Sequence, residues 1–342
     1  MRASFAALLF AGLVAAQAEA APPEPLRLEQ AAPRAGATLP PSQPHALGPA
    51  IPGLAQGAIP QGLAYWPDRN WLLISYYFDD GRPSMLAALD KASGKLERSL
   101  TLLAADGSLH TGHVGGLAVS AKYLWIGSGS LYRVPLADIA AAAPVSPLHL
   151  PAPFRAESIA STVAYHDKRV WVGEFVLESK AKGGERHHLH DRSGADQYAW
   201  ISGYDLDENE NIAGLANNPA PPPAAILSVR EKVQGLAFLD GHAILSISYG
   251  RKNKSTLAVY ADPLKAKDPP HTTVTLAGQS VPVWFLDAKN LVRDITLPPM
   301  TEGITPLDHQ LGMLFESGAA KYQNGGLGPL DTLVFIPSPS AR

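Results

Sequence analysis

Short apolar runs broken by turns set the pattern of this chain. Residues 61–77 (QGLAYWPDRNWLLISYY) alternate an apolar run, a polar turn and a second apolar run. Residues 113–129 (HVGGLAVSAKYLWIGSG) and 233–250 (VQGLAFLDGHAILSISYG) spell the same unit. Runs this short, bounded by Gly, Asp and Asn, predict strand–turn–strand hairpins.

The hairpins align on a five-residue motif. It occurs as Gln61–Tyr65 (QGLAY), Gly115–Val119 (GGLAV), Ser161–Tyr165 (STVAY), Gln234–Phe238 (QGLAF) and, less cleanly, Glu302–Pro306 (EGITP). A second apolar run follows each copy: NWLLISYY, KYLWIGSG, KRVWVGEF, HAILSISYG and QLGMLFESG. SMLAALD, SLYRVPL, AWISGYDLD and STLAVYAD supply third strands; KLERSLTLL, AAILSVR and NLVRDITLP supply fourth strands. Four short strands per unit, repeated around an axis, predict an all-β fold, a β-propeller with four-stranded antiparallel blades. A non-repetitive β-sandwich is the alternative, and five aligned copies argue against it. The last unit has three clear strands, EGITPL, GMLFES and DTLVFIP. Its fourth would come from the segment before Gln61, pairing with Leu333–Ile336 and removing an open edge. That closure makes five blades; a sixth stays open because residues 272–297 have room for another pair of strands. Trp71, Trp125 and Trp171 fall on second strands, where packing between blades is their expected role.

The QGLA and EGI starts resemble the inner strands of exported propellers in the gluconolactonase-like, NHL and esterase-like-phytase group. The resemblance covers rhythm over most of the chain and identity only in short motifs. It implies the architecture. It carries over no catalytic set, since the metal ligands of those families find no residue-by-residue match here. It extends equally to secreted bacterial propellers of no assigned activity.

The N-terminus has a different pattern. Arg2, the apolar run Ala6–Ala16 and the small-x-small triplet Ala18-Glu19-Ala20 predict a secretory signal peptide over 1–20, cleaved before Ala21. The apolar run is too short to span a bilayer. The mature chain is therefore expected in the periplasm or secreted. Residues 21–45, rich in Pro and Ala, read as a flexible leader, and 46–342 as a single propeller domain.

Composition narrows the function classes. A net charge of −3 argues against nucleic acid or anionic membrane as partner. The absence of cysteine excludes disulfides, thiolate metal sites, cysteine nucleophiles and a lipoprotein anchor. The chain contains no G-x-S-x-G elbow, P-loop or H-E-x-x-H, and NGGLGP near Gly325 precedes no helix. A monomer is expected.

The repeat dictates which residues share a face. In an antiparallel blade, the entrance to strand one and the exit of strand two lie at the same end. Around one channel mouth this gathers Gln61, His113 (with His110), Ser161, Gln234 and Glu302 from the entrances. The exits bring Tyr76, Tyr77, Asp79, Asp80, Ser128, Glu174, Tyr249, Arg251, Glu316, Ser317 and Lys321. Glu174 directly follows an apolar strand and Glu302 starts one, and carboxylates beside a core are costly unless paired or ligating. Glu174, Glu302 and Glu316 could surround Ca²⁺, with Gln61 and Gln234 as neutral oxygen donors. Alternatively, each carboxylate is pinned by Arg, Lys or a backbone N–H. The same carboxylates could act as acid and base on a glycoside. Arg251, Lys252 and Lys254 could grip a phosphate, carboxylate or uronate; an ordinary solvated turn is the other reading. His187, His188, His190 and Asp191, in the loop Glu185–Trp200, are metal-capable, but their spacing matches no structured zinc motif, and the loop reads as a solvated lid over the mouth.

Three functional classes follow. The first is an exported propeller binding a small polar or anionic ligand at its channel mouth through Gln61, His113, Glu174, Gln234, Tyr249, Arg251, Glu302 and Glu316. The second is a hydrolase of a lactone, phosphoester or glycoside using the same carboxylates, with or without Ca²⁺. The third is a protein-binding scaffold.

Overall fold

The computed structural model describes residues 24–30, 32–33, 39, 43–177, 187–324, 326 and 328–339. The signal peptide expected over 1–20 lies outside the described residues. The chain begins its strands with β1 (Ala46–Ala50). Blade one holds β2 (Ile59–Trp66), β3 (Trp71–Tyr77), β4 (Met85–Asp90) and β5 (Leu96–Leu103). Blade two holds β6 (Gly116–Val119), β7 (Tyr123–Ser128) and β8 (Ser130–Pro135), followed by the short helix α1 (Leu136–Ala141) and β9 (Val145–His149). Blade three holds β10 (Thr162–His166) and β11 (Arg169–Gly173). A small hairpin, β12 (Leu189–His190) and β13 (Asp196–Gln197), follows, and then β14 (Ala199–Asp205) and β15 (Ala225–Val229). Blade four holds β16 (Val233–Leu239), β17 (His242–Ile247) and β18 (Ser255–Ala261). The pair β19 (Thr272–Leu276) and β20 (Gln279–Phe285) comes next, and β21 (Leu291–Leu297) completes the blade. Blade five holds β22 (Thr301–Leu307), β23 (Gln310–Phe315) and β24 (Thr332–Pro337).

The five sheets form a five-bladed β-propeller, and the contacts of the inner strands show why the count is five. β2 packs on β6 and β22, β6 on β10, β10 on β16, and β16 on β22, so the ring shuts. Inner hairpins lose the alternating burial of a one-sided sheet because a neighbouring blade covers each face. β3 and β17 are buried almost throughout, whereas the outer β21 is mostly exposed. Trp71, Trp125 and Trp171 are all buried. The glycine of the motif permits the close approach. A Cβ at Gly116 would lie 2.4 Å from the Val163 nitrogen, and one at Gly303 would lie 2.5 Å from the Leu63 nitrogen. The third copy has Thr162 at this place, and its methyl occupies space that a side chain at Gly173 would need.

The ends of the chain close the ring as the sequence predicts. β1 pairs antiparallel with β24 through Ala46↔Phe335, Leu47↔Val334 and Ala50↔Thr332. Residues 272–297 do contain an additional strand pair, but it builds no sixth blade. β20 joins the outer edge of blade three, parallel to β15, while β21 pairs with β18. Blade two departs from the four-stranded pattern. Helix α1 buries Leu136 and Ile139, and the chain then delivers β9 to blade one, parallel to β5. The β8 edge is left with a single bridge, Leu131↔Phe154.

Part of the segment read as a flexible leader is packed. Leu28 is 1% exposed and sits in a core with Ile51, Leu54 and Leu333. Its N–H donates to Ser99 Oγ (2.9 Å), and Ser99 Oγ donates to the Leu26 carbonyl (2.8 Å). Leu39 is buried as well. The flexible reading is therefore corrected for residues 24–30. Leu26 and Leu28 alternate with Arg27 and Glu29, a strand-like pattern hidden in a Pro- and Ala-rich composition. Among the described residues no helix is long and apolar enough to cross a membrane.

Candidate functional site

A cavity of about 640 Å³ opens at one end of the channel. Seven of the eight expected ligand-binding residues line it: Gln61, His113, Gln234, Tyr249, Arg251, Glu302 and Glu316. The backbone explains how three of them are aimed. The pairing register slips between Pro60 and Leu63, between Val233 and Gly235, and between Thr301 and Ile304. These irregularities fall on Gln61, Gln234 and Glu302, and a bulge at a strand entrance re-aims its side chain. Blades two and three pair regularly from Gly116↔Gly127 and Thr162↔Gly173, and there the first motif position is small, Gly115 or Ser161. Glu316 follows β23 in a short 3₁₀ turn, its N–H donating to the Met300 carbonyl (2.9 Å).

The floor holds two buried carboxyls. Glu302 is 3% exposed and Glu316 is 8% exposed. Gln61 Nε2 donates to Glu316 Oε1 (2.9 Å) and to the Pro60 carbonyl (2.9 Å). The Tyr77 hydroxyl donates to the same Glu316 oxygen (3.3 Å), and Gln234 Nε2 donates to Glu302 Oε1 (3.4 Å). Among the described residues neither carboxyl forms an ion pair; Lys321, the nearest candidate in sequence, pairs with Asp79 (2.9 Å). Tyr77 lies against the His113 ring, with centroids 4.2 Å apart.

Burial governs the protonation of this pair. Loss of solvation, then the charge of Glu316, holds the Glu302 carboxyl well above the usual glutamate range. Burial pushes Glu316 up to about 7, opposed by hydrogen bonds from Tyr77 and Tyr322, the charge of Lys321, and Gln61. The two carboxyls titrate as a pair. The floor therefore offers two carboxyls whose neutral forms burial favours, beside two amides. Burial, then the charge of Lys321, lowers the His113 pKa and favours its neutral imidazole.

Glu174 is not part of this arrangement. Its N–H bonds back to the Trp200 carbonyl (3.4 Å), which turns the side chain toward the third strand of its own blade. There it accepts from the Trp200 N–H (2.9 Å) and meets His187 Nδ1 at 2.6 Å. The three-glutamate calcium set is therefore not assembled, and Glu174 is corrected from cavity residue to a buried carboxylate held by a backbone N–H and an imidazole. The reading of the 185–200 loop as a lid is also corrected over its described part. Residues 187–198 do not line the cavity. Leu189 packs on Trp200, Ile226, Val281 and Val283, and Arg192 grips Asp287 with two hydrogen bonds (2.8 and 2.6 Å). Of the basic turn, only Arg251 reaches the cavity, its guanidinium lying 5.5 Å from the Tyr322 ring centroid.

Phe175, Met300 and Tyr322 also line the cavity, and their part in it was not legible in the sequence. Phe175 neighbours Glu174, which drew attention as the charged residue. Tyr322 reaches Glu316 only because a second 3₁₀ turn, Ala320–Tyr322, folds it back.

The opposite mouth is built from the other end of the same motif. Tyr65, Val119, Tyr165, Phe238 and Pro306 surround a cavity of about 510 Å³, with Asp68 and Asp308 among its lining.

No family model matches the chain, and no curated protein matches it. Among solved structures it is similar to a glutaminyl cyclase from Myxococcus xanthus, at 13% identity over 86% of this chain and 96% of that chain, with a TM-score of 0.41. It is also similar to a GH43_1 enzyme from Xanthomonas citri complexed with xylose, at 12% identity over 86% of this chain and 90% of that chain, with a TM-score of 0.44.

Proposed function

We propose that this protein is an exported β-propeller that binds a small, neutral, polyhydroxylated ligand in its polar channel mouth. One observation carries the reading: two buried carboxyls, neither in an ion pair among the described residues, face a 640 Å³ cavity beside two glutamine amides. Such groups are costly in a merely wet channel and suit a ligand that brings hydroxyl donors and acceptors. Tyr77, Phe175, Tyr249 and Tyr322 add aromatic walls for the apolar faces of the same ligand. An anionic ligand suits the floor poorly, since it would meet Glu316 as Glu316 ionises. Arg251 remains available for one acidic group at the rim. Calcium would have two carboxyls here rather than three, short of the six to eight oxygens it normally collects unless waters complete the shell.

A second reading rests on the Glu316 carboxyl at about 7. A group poised near neutral pH beside a second buried carboxyl is suited to acid–base hydrolysis of a lactone or glycoside. Calorimetric titration of the mature protein with monosaccharides, polyols, sugar lactones and Ca²⁺ tests both readings. Binding of a polyol or sugar that is lost in Glu302→Gln and Glu316→Gln, with the fold retained, supports the site. Turnover of a lactone or glycoside abolished by Glu316→Gln selects the hydrolase. Binding unchanged in both variants would refute the proposal.

A further inference from the structure

The loop that the cavity does not use has a separate arrangement of its own. We propose that the β12–β13 hairpin binds one transition-metal ion of the Zn²⁺ class through His188 Nε2, His190 Nδ1 and a carboxylate oxygen of Asp196.

The argument starts from strand alternation. His188 and His190 are two residues apart and share a side, while Leu189 between them points the other way, into the apolar contact with Trp200, Ile226, Val281 and Val283. Leu189 thus anchors the strand and turns both imidazoles outward. Pairing supplies the third donor, because His190 stands directly across from Asp196. His188 Nε2 lies 2.7 Å and His190 Nδ1 3.1 Å from the same oxygen, Asp196 Oδ1. The three donor atoms lie within 4.8 Å of one another. A tetrahedral ion with bonds of about 2.0–2.1 Å holds its donors roughly 3.3 Å apart, so modest side-chain rotations suffice.

The hairpin is held in place before any ion arrives. Asp191 Oδ1 accepts from the Ser193 N–H (2.7 Å), the Ser193 hydroxyl (2.7 Å) and the Ala195 N–H (3.0 Å), closing the turn. Arg192 ties that turn to the buried Asp287. His188 is stacked flat on Tyr198, with centroids 5.0 Å apart. Asp191 and Asp287 are thus committed to the scaffold. Asp196 is hydrogen-bonded by His188 and Tyr198, and the His190 imidazole lies close to the same carboxylate.

Two imidazoles and one carboxylate suit zinc and its neighbours, while an oxygen-poor set is a weak site for Ca²⁺ or Mg²⁺. Three protein ligands leave a position for water, consistent with a His190 side chain that is 69% exposed. Of the metal-capable residues named from the sequence, Asp191 is committed to the turn, and the fold brings Asp196 to the two imidazoles instead.

The test uses the mature chain without a histidine tag. Zn²⁺ is titrated in competition with a chromophoric chelator, and Co²⁺ absorption reports the ligand geometry. The expected result is one equivalent bound, with His190→Ala and Asp196→Asn each weakening it at least about ten-fold. Circular dichroism and the metal-free thermal midpoint should match the parent. The result that overturns the proposal is absence of Zn²⁺ binding by the parent. Equal affinity and Co²⁺ spectra in a His188→Ala/His190→Ala double variant, or Ca²⁺ competing as strongly as Zn²⁺, would overturn it as well.

Discussion

The two mouths of the channel are opposite ends of the same five inner strands, and they differ in kind. The polar mouth gathers the first motif residues, Gln61, Gln234 and Glu302, with Gly115 and Ser161 in the other two copies. The other mouth gathers the fifth residues, Tyr65, Val119, Tyr165, Phe238 and Pro306. At the fifth position apolar bulk covers the end of the packed core, and stability alone explains the choice. At the first position, two glutamines and a glutamate sit on irregular pairing, and Glu302 is buried without an ion pair among the described residues. A fold under selection only for stability has no use for that carboxyl. That difference is the ground for the proposed binding site: one end of the strand carries buried polar groups and the other carries packing.

The largest expected effect strikes the strand shared by both mouths. Gly303→Val would place a side chain against the Leu63 and Gln61 backbones, and should cost more than about 3 kcal/mol or prevent folding. Denaturant unfolding measures this, and a stable Gly303→Val protein would show that the ring is looser than its geometry.

Leu28→Ala removes a buried side chain outside both mouths, and should cost about 2–3 kcal/mol while leaving ligand affinity unchanged. Deletion of residues 21–40 should destabilise the protein for the same reason. Parallel melts and titrations would show whether stability and binding separate in this way.

A smaller effect belongs to the polar mouth alone. Glu302 and Glu316 have raised pKa values in the folded state, so the folded protein holds protons that the unfolded chain has released. Their contribution to stability is greatest at acid pH and is lost as the pH rises from the ordinary glutamate range through about 7. The slope has a ceiling of about 1.4 kcal/mol per pH unit per carboxyl. A Glu302→Gln/Glu316→Gln variant should flatten that decline, and thermal midpoints measured across the window would show it. An identical decline in parent and variant would mean that the pair is not buried as described.

The smallest effect is expected at the apolar mouth. Tyr165→Phe keeps the ring and should change stability by less than about 0.5 kcal/mol, with no change in ligand binding. Loss of binding in this variant would reverse the functional assignment of the two mouths.

Much of the architecture was legible because a repeat exposes itself. Each motif copy marks an inner strand, each apolar run after it a second strand, and the three-stranded last unit calls for closure by the N-terminal side. β1 supplies that closure at Ala46–Ala50. The same logic gathered seven of the eight expected cavity residues. It failed at Glu174, whose carboxyl is held away from the cavity by the Trp200 N–H and His187.

The sequence by itself determined the repeated inner hairpins, the closure by the N-terminal side that favours five blades, and the polar residues of one mouth. All three follow from local alternation and repetition, which act over a few residues. Only the tertiary structure decided where β9 and the β19–β20 pair would dock, since both join the edges of other blades by parallel pairing across long stretches of chain. It also decided which acidic groups stand together. The exposure of a carboxylate and its neighbours depend on elements distant in sequence, and Glu302 and Glu316 meet only because their turns face one closed channel. His190 and Asp196 meet because a two-residue ladder sets them across from one another, and His188 joins them from just before that ladder.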